Sequence, residues 1–332
     1  MKKFFIGVDV SKVKLDFCFW HNERVVREVV VPNHIGAIKG YLRDILNGHS
    51  IADFLVCAEY TGQYTYPLSC ACSELGFDLW LEDPSQIKYR SGVQRGKNDR
   101  LDAHKIAVYA SRFIDQVRLF SLPEKTIRTL KQLVSERDVY VCDKGKYQGQ
   151  LTDQQDYMDK VDYKSKSNRL KKLTKGIELA IEQIEEEIRI LIDGDKTLSR
   201  QYQLLCSIDG VGERTAVKMI LETNAFKDFK NPRSFCCHAG VAPFSYSSGS
   251  SQRSRNKVSH RADKSIKALL HMAALSATRT TGELNEYYKR KVAEGKNKMS
   301  VLNAIRAKLI LRMFAVIRND RFYEQNYINP LV

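Results

Sequence analysis

The sequence predicts an α/β domain, then a helical linker, then a mainly α-helical C-terminal domain. Short apolar runs rich in Phe, Val and Ile fill the first 60 residues, which is typical of strands. Helical and strand patterns then alternate as far as residue 110, and from residue 170 onward apolar residues recur at helical spacing. We therefore predict domains at residues 1–120, 121–199 and 200–332.

The first domain is expected to hold a mixed β-sheet. Strands are predicted over residues 3–10, 15–21, 24–31, 53–58 and 77–81, and helices over 35–46, 64–75 and from 101 onward. Three meandering strands followed by alternating helices and strands imply antiparallel and parallel pairs in one sheet, covered by helices.

Four acidic residues fall where such a fold could bring them together. Asp9 lies on the first predicted strand, Glu59 ends the fourth, and Asp99 and Asp102 lie three apart on a helix. Residues with that spacing share a helix face, and ligands of open α/β sheets collect at the carboxyl ends of strands. Such a set suits Mg²⁺ or Mn²⁺, and two such ions about 4 Å apart catalyse in-line phosphoryl transfer. The alternative for Asp99 and Asp102 is a solvated first turn that complements the helix dipole.

The positive charge is concentrated in the C-terminal part. The chain has a net charge of +15, and residues 201–332 carry 22 Lys/Arg against 10 Asp/Glu, which gives that part +12. Such a basic half indicates a polyanionic partner, with nucleic acid ahead of an anionic membrane surface.

Cysteine usage and hydropathy indicate a cytoplasmic protein without a zinc ribbon. No apolar run reaches membrane-spanning length, and the N-terminus lacks a signal-peptide cleavage region. Paired C-x-x-C motifs are absent, so reduced core thiols are the preferred interpretation. The eight cysteines are Cys18, Cys57, Cys70, Cys72, Cys142, Cys206, Cys236 and Cys237.

The linker is predicted to be helical. Residues 123–161 are polar and suit either a connecting helix pair or a mobile segment. From residue 170 an apolar seam of about three heptads predicts a coiled coil, which Gly194 ends. This seam could close an intramolecular hairpin or assemble several copies. Its members are Leu170, Leu173, Ile177, Ile181, Ile184, Ile188 and Leu191.

A glycine turn opens the basic half. Gly210 and Gly212 separate two apolar helical stretches, in a pattern that resembles a helix-hairpin-helix. That motif offers backbone N–H groups to a phosphate. The alternative is an ordinary corner between two helices that uses glycine for a tight turn.

A serine-rich turn lies beside a cluster of basic residues. Ser247 and Ser248 precede Gly249, and six Lys/Arg but only one carboxylate follow between residues 245 and 267. Serine needs activation to act as a nucleophile, and the cations could hold a phosphate and stabilise developing charge. The alternative is a solvated loop that contacts nucleic acid. The basic residues and histidine closest to the serines are Arg253, Arg255, Lys257, His260 and Arg261.

The predicted order of elements in the first domain resembles the ribonuclease-H-like fold in its RuvC-like branch. Four segments extend the resemblance to one family: GVDVSK, KNDRLDA, IDGVGERTA and AGVAPFSYSSG with its basic sequel. They resemble the DEDD transposases of the insertion-sequence "one-ten" family, also called bridge-RNA-guided recombinases. The resemblance covers nearly the whole chain and keeps the order of all four segments.

This resemblance implies a mechanism, a cofactor and partners. Asp9, Glu59, Asp99 and Asp102 would bind Mg²⁺, with Mn²⁺ as the substitute. Ser248, directly before a glycine, would attack a DNA phosphate and form a phosphoserine link; Ser247 is the fallback. A structured guide RNA would pair with donor and target DNA. The protein would assemble as a dimer or tetramer whose active site combines domains of different protomers.

The sequence departs from the family pattern at two places. Asn98 stands where the family usually has Thr, and His260-Arg261-Ala262-Asp263 replaces a common Lys-Arg-Gly-Asn run. The second departure bears on how this loop meets its phosphate.

Two other functions compete with recombination. The first is a RuvC-like nuclease or Holliday-junction resolvase, in which water is the nucleophile and Ser248 only contacts DNA. The second is a non-catalytic nucleic-acid-binding protein with structural carboxylates.

Overall fold

The chain divides into two units, residues 1–122 and 123–332. A computed structural model describes residues 2–90, 98–248, 252–258 and 262–325, with the backbone alone for 245–248 and 252–257. The first unit holds a mixed sheet, and the second is mostly helical. No helix in these ranges combines the length and the apolar character needed to cross a membrane. The further division at residue 200 stays a prediction.

The first unit is built on a five-stranded sheet with the order β3-β2-β1-β4-β5. β1 pairs antiparallel with β2 and parallel with β4, so the predicted mixed sheet is confirmed. The strands are β1 (Phe4–Val10), β2 (Lys14–His21), β3 (Arg24–Pro32), β4 (Phe54–Glu59) and β5 (Asp78–Glu82). The helices are α1 (Ile35–Asp44), α2 (Tyr66–Leu75), α3 (Pro84–Arg90) and α4 (Asp99–Arg112). Of these, α3 was not predicted.

The two faces of the sheet are covered by different helices. Alternate residues of a strand point to opposite faces. Ile6 and Val8 of β1 therefore pack with Leu42 of α1 and Leu68 of α2. Phe5, one residue before Ile6, packs on the other face with residues of α4. The odd-numbered residues of β1, including Asp9, consequently lie on the α4 side.

Gly7 allows α4 to lie directly on the sheet. A Cβ at this position would come within 2.1 Å of the Ala103 carbonyl oxygen and 2.4 Å of the Ala107 nitrogen. Both are backbone atoms, so no side-chain rearrangement relieves the clash. This close approach sets the height of α4, and therefore of Asp99 and Asp102 in its first turn, above β1.

Substituting Gly7 by valine is expected to lower the free energy of unfolding by about 3 kcal/mol, because overpacking against backbone forces the helix away. Chemical denaturation of the full chain measures this change. The matched control is Gly40→Ala in α1, where a Cβ meets nothing within 4 Å. That change should stabilise the helix by up to about 1 kcal/mol. Equal small effects at both glycines would contradict the packing argument.

The second unit begins with a helical hairpin. α5 (Lys125–Asp153) and α6 (Lys160–Asp193) run antiparallel, as the ion pairs Arg137–Glu185 and Lys144–Glu178 show. Ile184, Ile188 and Ile192 of α6 are buried with Leu130 of α5. The second half of the predicted seam therefore packs within one chain, whereas Leu173 is 54% exposed. A role of this seam in assembly stays a prediction.

The rest of this unit packs helices around one core. Its elements are α7 (Lys196–Cys206), α8 (Glu213–Glu222), α9 (Pro232–His238), β6 (Phe244–Ser248), β7 (Gln252–Lys257), α10 (Lys264–Arg279), α11 (Glu283–Ala293) and α12 (Lys298–Asn319). Leu205, Ile220, Phe235, Leu270 and Ile310 are fully buried in that core. The interpretation of the cysteines as core thiols holds for five residues, but Cys142 is exposed, and Cys206 and Cys237 are half-buried.

Candidate functional site

Three carboxylates meet under the first turn of α4. Asp9 of β1 pairs across the hairpin with Asp16 of β2, so both side chains point to the face that α4 covers. Asp99 is the first residue of α4. One carboxylate oxygen from each of these three residues lies within 4.8 Å of the others.

Asp16 is the member of this group that sequence reasoning missed. It is only 4% exposed, although aspartate is seldom fully buried without a partner. The tight turn that the sequence predicts between the first two strands could have indicated that Asp16 belongs to this group. In an antiparallel hairpin, that turn fixes which residue of the second strand lies opposite Asp9.

Glu59 and Asp102 lie beside this group without belonging to it. Glu59 ends β4, one residue beyond the pairing of Val8 with Ala58, so it follows in register with Asp9 on the neighbouring strand. Asp102 forms an ion pair with Lys105 one turn along α4. The structure therefore brings all four predicted acidic residues to one region of the sheet, with only Asp9 and Asp99 in the closest group.

The electrostatics of the cluster favour a cation. Burial, followed by the charges of Asp102, Asp99 and Asp16, raises the pKa of Asp9 to about 6. A divalent ion would relieve this repulsion, and hard carboxylate oxygens are the ligands that Mg²⁺ and Mn²⁺ prefer. The donor set therefore fits such an ion. Among the described residues, the ammonium of Lys14 lies at the cluster, donating to Asp99 at 2.9 Å and to Asp16 at 3.0 Å.

Asn98, which stands where the family usually has Thr, lies in the turn before α4. The Asn98 side chain accepts a hydrogen bond from the Arg100 backbone N–H at 3.2 Å and so caps the helix. Asn and Thr both perform this role, which explains why Asn98 can replace Thr without disturbing Asp99.

Gly210 and Gly212 have different local roles. Gly210 has a φ of +86°, and a Cβ there would lie 2.7 Å from the Ala273 carbonyl oxygen on α10. Gly210 therefore serves a tight turn between two helices, as expected if this segment is an ordinary helix corner. Gly212 is the N-cap of α8 and provides no capping side chain. The α8 N-terminus is thus the part of the corner that suits a phosphate; the helix-hairpin-helix assignment stays a prediction.

The serine turn is a β-hairpin. Ser248 is the last residue of β6 and pairs with Gln252 of β7, while Ser247 pairs with Arg253. Arg255 and Lys257 follow on β7. The side chains of these residues, and the whole of Gly249, His260 and Arg261, lie outside the described part of the chain. The backbone places Ser248 at the turn end of a strand pair whose second strand is basic.

A second polar cluster, missed from sequence, joins the elements on either side of this hairpin. His238 at the end of α9 lies 3.4 Å from the Glu222 carboxylate of α8, and Lys218 lies 3.0 Å from it. Asp263 caps α10 by accepting from the Ser265 N–H at 2.7 Å, and its own N–H donates to the His238 carbonyl. One side-chain nitrogen or oxygen atom from each of three residues lies within 4.8 Å of the others; these residues are Glu222, His238 and Asp263. Because these charges and caps are mutually satisfied, we interpret the cluster as a structural clamp. Asp263 stands where the family often has Asn, and aspartate and asparagine are both favourable helix N-caps.

Substitution of Glu222 by glutamine should reduce stability in a pH-dependent way. The hydrogen bond from His238 is the main cause that lowers the pKa of Glu222 to about 2, with Lys218 adding to it against the effect of burial. A depressed carboxylate pKa stabilises the fold above its ordinary value near 4.5, and this stabilisation disappears as the pH falls toward 2. The stability difference from wild type should therefore shrink by about 2 kcal/mol between pH 6 and pH 3. Urea unfolding at both pH values measures it, with Glu187→Gln at an exposed position of α6 as control; a difference independent of pH would contradict the clamp.

The fold and the acidic site together define the class of protein. A mixed sheet with converging carboxylates, followed by a mostly helical unit, is consistent with the ribonuclease-H-like DNA-processing enzymes. Residues 6–156 match the DEDD family model of IS110 elements, described as "Transposase". Residues 202–289 match a second model, described as "Transposase IS116/IS110/IS902 family". The chain belongs to this IS110 family of transposases, and the resemblance seen in its motifs is confirmed.

Individual relatives agree with this assignment. The chain is similar to the pilin gene-inverting proteins of Moraxella lacunata and Moraxella bovis, with 23% identity to each over 98% of this chain and 99% of the relative. It is also 27% identical to an uncharacterized 43.6 kDa protein of insertion element IS110 from Streptomyces coelicolor, over 36% of this chain and 30% of that protein. The protein is a transposase or recombinase that processes DNA, and its DEDD family implies dependence on a divalent metal.

Proposed function

We propose that this transposase cleaves and exchanges DNA strands through a covalent phosphoserine at Ser248. Asp9, Glu59, Asp99 and Asp102 would hold Mg²⁺, for which Mn²⁺ can substitute. The observation that carries the proposal is the convergence of Asp9, Asp16 and Asp99 within 4.8 Å, beside Glu59 and Asp102, in a member of a DEDD transposase family. Carboxylates are held this close against their mutual repulsion where a cation is to be bound.

The bound metal would supply Lewis-acid stabilisation of the scissile phosphate. The protein's own contribution is the nucleophile. The Ser248 oxygen would form a bond to phosphorus as the phosphorus–oxygen bond of one strand breaks. The proton that leaves the serine hydroxyl is balanced by one taken up by the leaving oxygen, so the released strand end departs as a hydroxyl and the number of phosphate ester bonds is unchanged. Cations on β7 and after it would stabilise the charge that develops on the phosphate; we assign Arg253, Arg255, Lys257 and Arg261 to this role.

The names of the relatives support strand exchange over simple hydrolysis. The two Moraxella proteins are described as inverting a pilin gene, and inversion requires that cut strands be rejoined. A phosphoserine keeps a phosphate ester available for rejoining, whereas water as nucleophile releases it. This consideration disfavours the RuvC-like resolvase alternative.

The basic half suits nucleic-acid partners. Residues 201–332 carry a net charge of +12, which favours contact with a phosphate backbone. We propose donor and target DNA as substrates, a structured RNA as the guide, and Gly210 and Gly212 as backbone contacts to phosphate. A dimer or tetramer would bring the acidic site and the serine hairpin to the same phosphate.

A covalent-adduct assay tests this function. The full-length protein, co-expressed with the non-coding flanks of its element, is mixed with labelled donor and target duplexes and Mg²⁺, then denatured and separated by gel electrophoresis. We expect a labelled band of protein mass that disappears with EDTA and weakens after ribonuclease treatment. Metal-dependent cleavage products without that band would overturn the serine mechanism in favour of the resolvase. An adduct that survives ribonuclease before substrate addition would overturn the RNA guide alone.

A further inference from the structure

A lysine lies at the position where the acidic site needs a cation. The Lys14 ammonium bridges two carboxylates, Asp16 at 3.0 Å and Asp99 at 2.9 Å. Asp16 and Asp99 also share the 4.8 Å group with Asp9. Lys14 therefore neutralises the cluster at the oxygens that would face a metal. It belongs to neither the predicted acidic set nor the predicted basic one.

The backbone of Lys14 is fixed, but its side chain can withdraw. The Ser11 hydroxyl donates to the Lys14 carbonyl at 2.7 Å, and the Ser11 N–H donates to the same oxygen at 3.1 Å. These bonds hold the start of β2 in the turn. The Lys14 side chain is 42% exposed, whereas the Asp16 side chain is 6% exposed. One carboxylate partner is thus a rigid, buried anchor, and the other lies at the open end of the site, on the first turn of α4.

We propose that Lys14 is a resident counter-ion of the acidic site. It neutralises Asp16 and Asp99 in the metal-free protein, and a divalent cation displaces it from Asp99 while Asp16 retains it. This inference rests on the proposed metal-dependent function. It assigns Lys14 and Asp16 as positioning residues that set the metal affinity and keep the carboxylates together before metal binds.

The physical basis is competition between cations. A divalent ion has twice the charge of an ammonium at a similar distance, so it wins at Asp99. It must nevertheless break a charge-assisted hydrogen bond to do so. After displacement, the ammonium remains near Asp16. Its positive charge repels the bound divalent ion and so lowers the metal affinity of the site further. Removing the lysine charge should therefore tighten metal binding.

The test is calorimetric titration of Mn²⁺ into the full-length protein without DNA or RNA. Lys14→Met is expected to bind Mn²⁺ about tenfold more tightly than wild type, since one opposing charge has been removed at close range. Lys12→Met removes the same charge from an exposed residue of the same turn, and should change the affinity less than twofold. Lys14→Arg keeps the charge and should bind as wild type does.

Asp16 is tested through its coupling to Lys14. If Asp16 is the anchor, Asp16→Asn lets the ammonium leave the site once Mn²⁺ has displaced it from Asp99. The Lys14→Met substitution made in that background should then gain less than threefold in Mn²⁺ affinity. Additive effects of the two changes would overturn the anchoring role of Asp16, because residues that do not interact show additive free energies.

The outcomes separate this inference from the proposed function. Equal or weaker Mn²⁺ binding by Lys14→Met, with wild type binding normally and Asp102→Asn binding poorly, would overturn the counter-ion while leaving the metal site intact. No Mn²⁺ binding by wild type or Lys14→Met would overturn both. Mn²⁺ binding by Lys14→Met but not by wild type would support the counter-ion role, because the ammonium would then exclude the metal from the wild-type site.

Discussion

Ser248→Ala is expected to abolish the covalent protein–DNA adduct and to reduce strand exchange at least about a thousandfold, because the phosphoserine path then has no nucleophile. The change removes one hydroxyl at the turn end of β6, where pairing with Gln252 is made by the backbone. Protein stability, Mn²⁺ affinity and DNA affinity should therefore remain at wild-type levels. Denaturing gels detect the adduct, and calorimetry and gel-shift titration check the two affinities.

Ser247→Ala is the matched control for this prediction. Ser247 is the preceding residue of the same strand, paired with Arg253, and the proposed mechanism assigns the nucleophile to Ser248 alone. We expect Ser247→Ala to retain the adduct within a few-fold of wild type. Loss of the adduct in Ser247→Ala and not in Ser248→Ala would identify Ser247 as the nucleophile.

Asp9→Asn is expected to abolish metal-dependent cleavage, with a loss of about a thousandfold or more in rate, while it stabilises the metal-free protein. Burial, together with the carboxylates around Asp9, raises its pKa to about 6. A carboxyl group whose pKa is raised by folding makes the native state less stable as the pH rises from about 4 to 6. At pH 7.5 the neutral amide avoids this cost and should add about 1–2 kcal/mol of stability.

Asp44→Asn serves as the control, because Asp44 is an exposed carboxylate of the same unit paired with Arg27 at 2.7 Å. It should change neither cleavage nor stability appreciably. Cleavage is measured with labelled duplexes, and stability is measured by urea unfolding in EDTA. An Asp9→Asn protein that is inactive and also less stable than wild type in EDTA would indicate a structural carboxylate and count against the metal site.

Much of the first unit was predictable because its pattern is local. Strand alternation and turn residues placed Asp9 on β1 and Glu59 at the end of β4, and the spacing of three placed Asp99 and Asp102 on one turn of α4. Helix α3 was missed because it is a single short segment with one buried residue, Ile87, which leaves little periodicity to read. The family resemblance supplied the roles of these residues, which local patterns alone left open.

Residues that depend on packing across elements could not be found in this way. Asp16 joins the acidic site through strand register, and Lys14 joins it through the turn before β2. Gly7 matters because a helix 96 residues later in the chain lies directly on it, at the Ala103 carbonyl. Glu222 and His238 meet only after α8 and α9 have packed. In each case the decisive contact joins elements whose relative positions the local sequence does not specify.

Mapping the attachment site of the DNA in the wild-type adduct tests the central claim most directly. Trypsin and nuclease digestion of the adduct leaves a nucleotide remnant on one peptide, and residues 234–253 form one tryptic peptide that contains the serine turn. Fragment-ion mass spectrometry then locates the modified residue. The proposed mechanism predicts a phosphoester-linked nucleotide on Ser248. A remnant on a residue outside this turn, or DNA that is cut in Mg²⁺ without any peptide attached, would contradict it.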